Sequence, residues 1–288
     1  MEFFQSTFHP LVLIFTVSNL AAMGLQVNVP DVMVALRNKI AIALIFVWGW
    51  ILGPALGLLI ILLLPLEEPY VIVMLLASLA PCAPFLQQMV VKARGEMGFT
   101  GAFIPLVVIG TVVLMPLMAP LLIKGLSISP WALAKPLLLT ILLPLVIGAC
   151  VRYYAGTLAS RVFPAVKRLA MFSTALTIVW CLLLYGKGML DTAGQFALLA
   201  MTLHMLGMAL ITYRFGFGLK QNQRSVMSLG MGTRNSAAVL AAALAIPDAD
   251  PRIVVMVIMW TLWSVVLAAI GAQIFSRRAG KNLESSGG

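Results

Sequence analysis

Charge is scarce in this chain, and the places where it is missing are the most informative. Only 10% of the 288 residues are charged, 62% are hydrophobic and the mean hydropathy is +1.06. Ordinary soluble domains carry about a quarter charged residues, so a water-soluble globule is excluded. Cysteine is also rare. Cys82, Cys150 and Cys181 all fall inside apolar runs, so we expect no disulfide and read each as a small packing residue. No HExxH or GxSxG occurs, nor any pair of carboxylates inside an apolar run, and an enzyme is therefore not expected. Met1 to His9 lacks the basic stretch of a cleavable signal peptide, so the first helix is expected to stay in the mature protein. The tail after Gln273 is short, so no signalling domain is expected there.

What the chain does contain is one apolar run after another. A bilayer core of about 30 Å needs about 20 apolar residues per helix. Runs of that size predict nine transmembrane helices at 10–27, 39–64, 70–91, 98–123, 131–152, 165–186, 193–215, 224–246 and 252–275. The expectation is an all-α membrane protein with a single transmembrane domain over 1–276. A cytoplasmic tail at 277–288 remains, and Leu283 to Gly288 resembles a vector remnant.

Basic residues test that count, because they gather on the cytoplasmic side in alternate loops. Arg37, Lys39, Lys92, Arg94, Arg152, Arg161, Lys167, Arg168, Arg214, Lys220, Arg224, Arg277, Arg278 and Lys281 fall at one set of alternate ends. The opposite ends hold Lys124, Lys135, Lys187 and Arg252, together with Glu2, Glu67, Glu68, Asp191, Asp248 and Asp250. This predicts a multi-pass protein of the plasma (bacterial inner) membrane, N-terminus outside and C-terminus cytoplasmic. The net charge of +10 then reflects this bias and an affinity for anionic membrane lipids. Nucleic acid, a soluble protein partner and a cofactor have no support.

Arg234 is the nineteenth basic residue and the exception. It lies about ten residues, roughly 15 Å, from either end of its predicted helix. A guanidinium there costs about 2.5 to 3.5 kcal/mol on insertion scales, so something must solvate it. Two predicted helices also carry interruptions. The third contains Ala80-Pro81-Cys82-Ala83-Pro84-Phe85-Leu86-Gln87-Gln88 and the eighth Gly230-Met231-Gly232-Thr233-Arg234-Asn235-Ser236. Pro81 and Pro84 remove amide donors, while Gly230 and Gly232 loosen the eighth helix. Matched interruptions in two halves are the sequence pointer to a transporter binding site. They suggest an inverted repeat with an incomplete first half and a complete five-helix second half, the two broken helices crossing.

On this reading Arg234 holds a small organic anion, with Asn235, Thr233, Ser236, Gln87 and Gln88 reading its polar atoms; an Arg234 that braces backbone carbonyls is the structural alternative. His204 is either a neutral histidine bonded to a backbone carbonyl or a proton relay. Trp48, Trp50, Trp260 and Trp263 read as packing or interface residues.

At the two interruptions the chain resembles the bile acid:sodium symporter family. The family pattern A-P-G-G-T-A-S-N, followed six residues on by A-R-G and an acid, is met by Ala80-Pro81 and Ala93-Arg94-Gly95-Glu96. Its E-x-G-M-Q-N-S is met by Gly232 and Asn235-Ser236, and His204 falls where the family has a Leu-His pair. The resemblance runs from Leu11 to Gln273 and lacks the opening helix of ten-helix members. It implies a panel of the first, second, fifth and sixth helices against a core of the other five, with alternating access between them.

The resemblance also implies that sodium ligands are largely missing. The family's Ser-Asn pair becomes Leu86 and Gln87, its two hydroxyls Thr100 and Ile104, its early Gln becomes Gly49, its Glu becomes Gly230 and its Gln becomes Arg234. Gln87, Thr100 and Asn235 are what would remain if sodium bound; no other metal site is expected. Arg234 is thus expected to stand in for the coupling cation in a sodium-independent carrier. Two alternatives stay open: a sodium-coupled symporter with a degenerate site, and an arsenite-type metalloid exporter that uses Cys82.

Overall fold

Helix is the regular structure of the described residues, apart from one isolated β-bridge, in the computed structural model of this chain, which describes residues 2–35, 37–123 and 129–286. In lipid every backbone N–H and C=O must be satisfied within the protein, and long apolar runs therefore close into helices. The elements are α1 (Glu2–Gly24), α2 (Val29–Ala35), α3 (Lys39–Phe46), α4 (Gly53–Leu63), α5 (Glu68–Ser78), α6 (Leu86–Lys92) and α7 (Met97–Leu122). They are followed by α8 (Pro130–Leu137), α9 (Leu143–Tyr154), α10 (Gly156–Gly194), α11 (Ala197–Arg214), α12 (Gln221–Gly232), α13 (Ser236–Ala243) and α14 (Pro251–Ser286). Wider π-helical turns at Val47–Leu52 and Leu138–Leu142 join α3 to α4 and α8 to α9 into continuous rods.

Among the described residues six helices are long and apolar enough to cross a bilayer: Lys39–Leu63, Met97–Leu122, Pro130–Tyr154, Gly156–Leu184, Ala197–Arg214 and Pro251–Ala279. The other three predicted segments differ in form. Segment 10–27 falls on the apolar part of α1, Pro10–Gly24, whereas 70–91 is split into α5 and α6 and 224–246 into α12 and α13. The predicted tail from Arg277 continues α14 as far as Ser286, and Lys124 lies outside the described residues.

Helix starts follow local chemistry. Asn38 caps α3 by accepting from the Ala41 amide at 3.1 Å, and Ser129 caps α8 by accepting from Ala132 at 3.2 Å ahead of Pro130. Asp250 accepts from the Arg252 amide at 2.8 Å before α14. Arg252 also donates to both Asp250 carboxylate oxygens and ion-pairs with Glu67. These bonds hold the Asp250 carboxyl below the usual carboxylate range. They place Glu67 and Asp250, from two loops predicted on one side, at the same end of the molecule.

The helices sort into two groups. α1 packs along α9 and α10, with α8 continuing α9. Its bonds to α10 are polar: Ser18 meets Ser173 at 3.2 Å, Asn19 donates to the Thr174 hydroxyl at 3.1 Å, and Trp180 donates to Thr7 at 2.9 Å. Gly24 and Gly148 bring α1 and α9 so close that a Cβ on Gly24 would lie 2.2 Å from the Leu145 carbonyl, as small residues do at membrane helix contacts. The second group holds α5, α6, α7, α11, α12, α13 and α14.

The rod Lys39–Leu63 joins this second group, correcting the expectation that the second predicted helix belongs with the first, fifth and sixth. Trp50 Nε1 donates to the Leu79 carbonyl at 3.1 Å, and α4 packs on α5 and α11. Gly53 and Gly57 permit this approach, since Cβ atoms there would fall 3.1 Å from Ser78.

Candidate substrate and ion site at the helix crossing

Both predicted interruptions are real breaks, and each supplies the hydrogen bonds the other lacks. Between α5 and α6 the chain leaves helical geometry at Ala80 to Phe85; between α12 and α13 it does so at Thr233 to Asn235. Pro81 lies opposite Arg234 in an antiparallel bridge. The Cys82 amide donates to the Gly230 and Thr233 carbonyls, each at 3.0 Å, and the Asn235 amide donates to Ala80 at 2.8 Å. Thr233 Oγ1 accepts from the Ala83 amide at 3.1 Å and donates to Leu229 at 2.8 Å. Buried backbone groups released by proline and glycine are thereby paired. Gly230 permits the contact with α7: a Cβ there would lie 2.3 Å from the Phe103 ring.

Arg234 is 2% exposed and turned into the second helix group. Its Nη1 donates to the Met231 carbonyl at 2.9 Å and to Thr233 at 3.0 Å, and Nη2 meets His204 Nδ1 at 3.1 Å. A guanidinium only donates, so Nδ1 of His204 is an acceptor and the proton sits on Nε2, which donates to the Gly53 carbonyl at 3.1 Å. His204 is held as one neutral tautomer, linking α4, α11 and the crossing, with its ring against Trp260 at 5.9 Å. Among the described residues Arg234 has no carboxylate partner, and its Nε, Trp48 Nε1 and Trp260 Nε1 have no hydrogen-bond partner. Donors therefore exceed acceptors in this part of the core.

The cavities on one side of the crossing are lined by residues other than Arg234 and His204. They follow the seam between α1, α8 and α10 and the second group. One of about 170 Å3 is lined by Gln87 and Gln88, with Pro84, and by Asn19, Gln26 and Lys167 across the seam. A narrower one of about 40 Å3 holds Ser236 with Thr174, Thr177 and Thr261. Toward the far end of α13 a third, of about 500 Å3, meets Thr16 and Thr140. The structure thus gathers Gln87 and Gln88 at one cavity and Ser236 at another, and places Arg234 and His204 behind them. Lys167, Asn19 and Gln26 were missed by sequence reasoning. Lys167 counted only toward the charge bias, and nothing local marks a residue of α10 as facing α6.

The oxygen donors that would serve sodium each have a different setting. Asn235 Oδ1 caps α13, accepting from Ala238 at 3.1 Å, and the Thr100 hydroxyl donates to Glu96 at 2.7 Å. Gln87 faces the seam.

Cys82 is fully buried and takes φ 74°, in the left-handed region. The family pattern has Gly at this place. A left-handed non-glycine residue costs about 1 to 2 kcal/mol, while Gly forfeits side-chain packing and adds about 0.4 to 1 kcal/mol of unfolded-state entropy. These oppose each other. Cys82→Gly is therefore expected to change stability by less than about 1 kcal/mol, and Cys82→Val, β-branched in that region, to lose about 2 kcal/mol or more. Thermal unfolding in detergent checks the contrast; equal losses would show that the strain is unimportant.

The profile of the Sodium Bile acid symporter family matches residues 11–192, more than half of this sequence. Similarity also extends to the probable sodium/metabolite cotransporter BASS3, chloroplastic, of Arabidopsis thaliana, 23% identical over 228 residues. That stretch covers 78% of this chain and 53% of the relative, so the chain spans about half the length of the curated relative it matches.

Proposed function

The chain belongs to the Sodium Bile acid symporter family, whose members are membrane transporters and not enzymes, and from this we propose that it carries a small organic anion by alternating access, without sodium. The observation that supports this most is the buried Arg234 guanidinium, bonded at the crossing to Met231, Thr233 and His204. It supplies there the positive charge that sodium would bring. Two unit charges about 5 Å apart repel by about 3 kcal/mol at an effective dielectric of 20, more than a hundredfold in affinity, so a second cation is excluded.

In this reading Arg234 acts from behind the substrate, not against it. The passenger occupies the seam, where Gln87, Gln88 and Asn19 offer hydrogen bonds and Lys167 offers a cation at the cavity wall. The cavity volume, about 170 Å3, is close to the ~150 Å3 that holds benzene. A steroid-sized anion needs the several hundred Å3 typical of larger ligands. A carboxylate of a few carbons fits the cavity at Gln87, Gln88 and Lys167. On this reading two broken helices in a nine-crossing inverted repeat form a core that moves as a unit against the first helix group, with the basic ends cytoplasmic. A monoanion crossing alone gains about 2.3 kcal/mol per 100 mV going outward, so uncoupled flux is export.

The relative named a sodium/metabolite cotransporter favours a sodium-coupled carrier as the second reading, and one experiment separates the two. In proteoliposomes with a panel of short-chain carboxylates, replacing sodium by choline is expected to leave uptake unchanged. Lys167→Gln is expected to raise KM about tenfold, the loss of one charge-assisted contact of ~1.5 kcal/mol, with little change in kcat. Strict dependence on sodium would overturn the reading.

A further inference from the structure

A further cavity, of about 260 Å3, lies away from the seam, between α11, α12 and α14. We propose that it is a binding site for an anionic phospholipid, with an acyl chain in the trough and the phosphate at Arg278. Its walls are almost wholly apolar, and Leu206, Leu210, Ile270 and Ile274 on its rim are 44%, 68%, 50% and 47% exposed. In a membrane such a rim faces acyl chains, so the trough fills from the bilayer and not from water.

One end differs in character. Arg278 lines the trough there, its guanidinium 5.5 Å from the centre of the Tyr213 ring, which stacks on Phe275 at 4.9 Å. Gln221 donates to the Tyr213 hydroxyl, and this fixes the ring beneath the guanidinium. Among the residues whose side chains are described, none gives Arg278 a carboxylate. Arg214 ends α11, Lys220 and Arg224 flank the start of α12, and Arg277 adjoins on α14, so the surrounding field is positive. An apolar trough that ends under a basic headgroup-level cluster complements a phosphodiester lipid, since juxtamembrane basic residues each contribute about 1 kcal/mol toward anionic headgroups.

The other end reaches Gly232 and Thr233. Thr233 is the residue that bonds Cys82 and Ala83 across the crossing. An acyl chain in the trough therefore packs against the back of the crossing, opposite the seam, and supports α12 where its helical ladder ends.

The test is lipid retention by the full chain in neutral detergent, read by native mass spectrometry and thermal unfolding with dioleoyl phosphatidylglycerol against dioleoyl phosphatidylcholine. A preference of about fivefold for phosphatidylglycerol is expected, the value for one arginine near a membrane surface. Arg278→Gln should abolish that preference. Gly271→Leu should reduce retention of both lipids by filling the trough; its Cβ meets only the flexible end of Leu229, at 3.3 Å. Equal retention of the two lipids, a preference that survives Arg278→Gln, full stabilisation by inorganic phosphate, or a doubled mass that hides the trough between two copies would each overturn the proposal.

Discussion

Arg234→Ala is expected to abolish transport and to destabilise the protein by about 3 kcal/mol or more. The guanidinium is buried and serves three acceptors: the Met231 and Thr233 carbonyls and His204 Nδ1. The Thr233 carbonyl keeps the Cys82 amide as a donor, but the Met231 carbonyl and His204 Nδ1 are left unpaired at about 1 to 3 kcal/mol each, and the truncated side chain leaves a void in a packed core. His204 would also lose the donor that selects its tautomer. Arg234→Lys keeps the charge without the planar fork, so it should fold better than the alanine variant yet transport poorly. Arg234→Gln keeps a donor but no charge; it should retain most stability and lose transport. The measurements are thermal unfolding in detergent and uptake per folded molecule. Wild-type uptake by Arg234→Gln would mean that the charge has no part in carrying the anion.

Gly148→Val is the second large effect, and it acts on the other helix group. A Cβ on Gly148 would lie 2.6 Å from the Ala21 carbonyl and 2.9 Å from the Leu25 amide, both backbone. No rotamer change relieves such a clash, so α1 and α9 must separate. Overpacking ordinarily costs about 1 to 3 kcal/mol when side chains can shift; here the backbone must move, and little folded protein is expected. The wall that α1 gives to the seam, with Asn19 and Gln26, would move with it. Gly101→Ala is the control, because nothing lies within 4 Å of a Cβ there and alanine is favoured over glycine inside a helix by up to about 1 kcal/mol. It should be neutral or stabilising. Fluorescence-detected size-exclusion of both variants reads the difference directly; a monodisperse, heat-stable Gly148→Val would refute the close approach.

Much of the architecture could be read locally. Pro81, Pro84, Gly230 and Gly232 lie within or beside stretches where the structure breaks two helices, because a missing amide or a missing Cβ acts on its own turn of backbone. The caps at Asn38 and Ser129 are equally local, though they come from the structure and not from the sequence. The resemblance placed the second predicted helix with the first, fifth and sixth, but its own side chains decide otherwise: Trp50 and Gly53 choose the core through Leu79 and His204.

By itself the sequence determined that this is a helical membrane protein, that two of its helices are interrupted, and that one guanidinium lies deep among apolar residues. Those properties depend on composition and on chemistry within a few residues. Only the tertiary structure decided that the two interruptions bond to each other, that Arg234 looks toward His204 and away from the seam, and that Lys167 rather than Arg234 lines the cavity. Such facts rest on contacts between residues as far apart as Ala83 and Thr233, 150 positions along the chain. A side chain's facing is set by packing against partners that its own stretch of sequence does not contain.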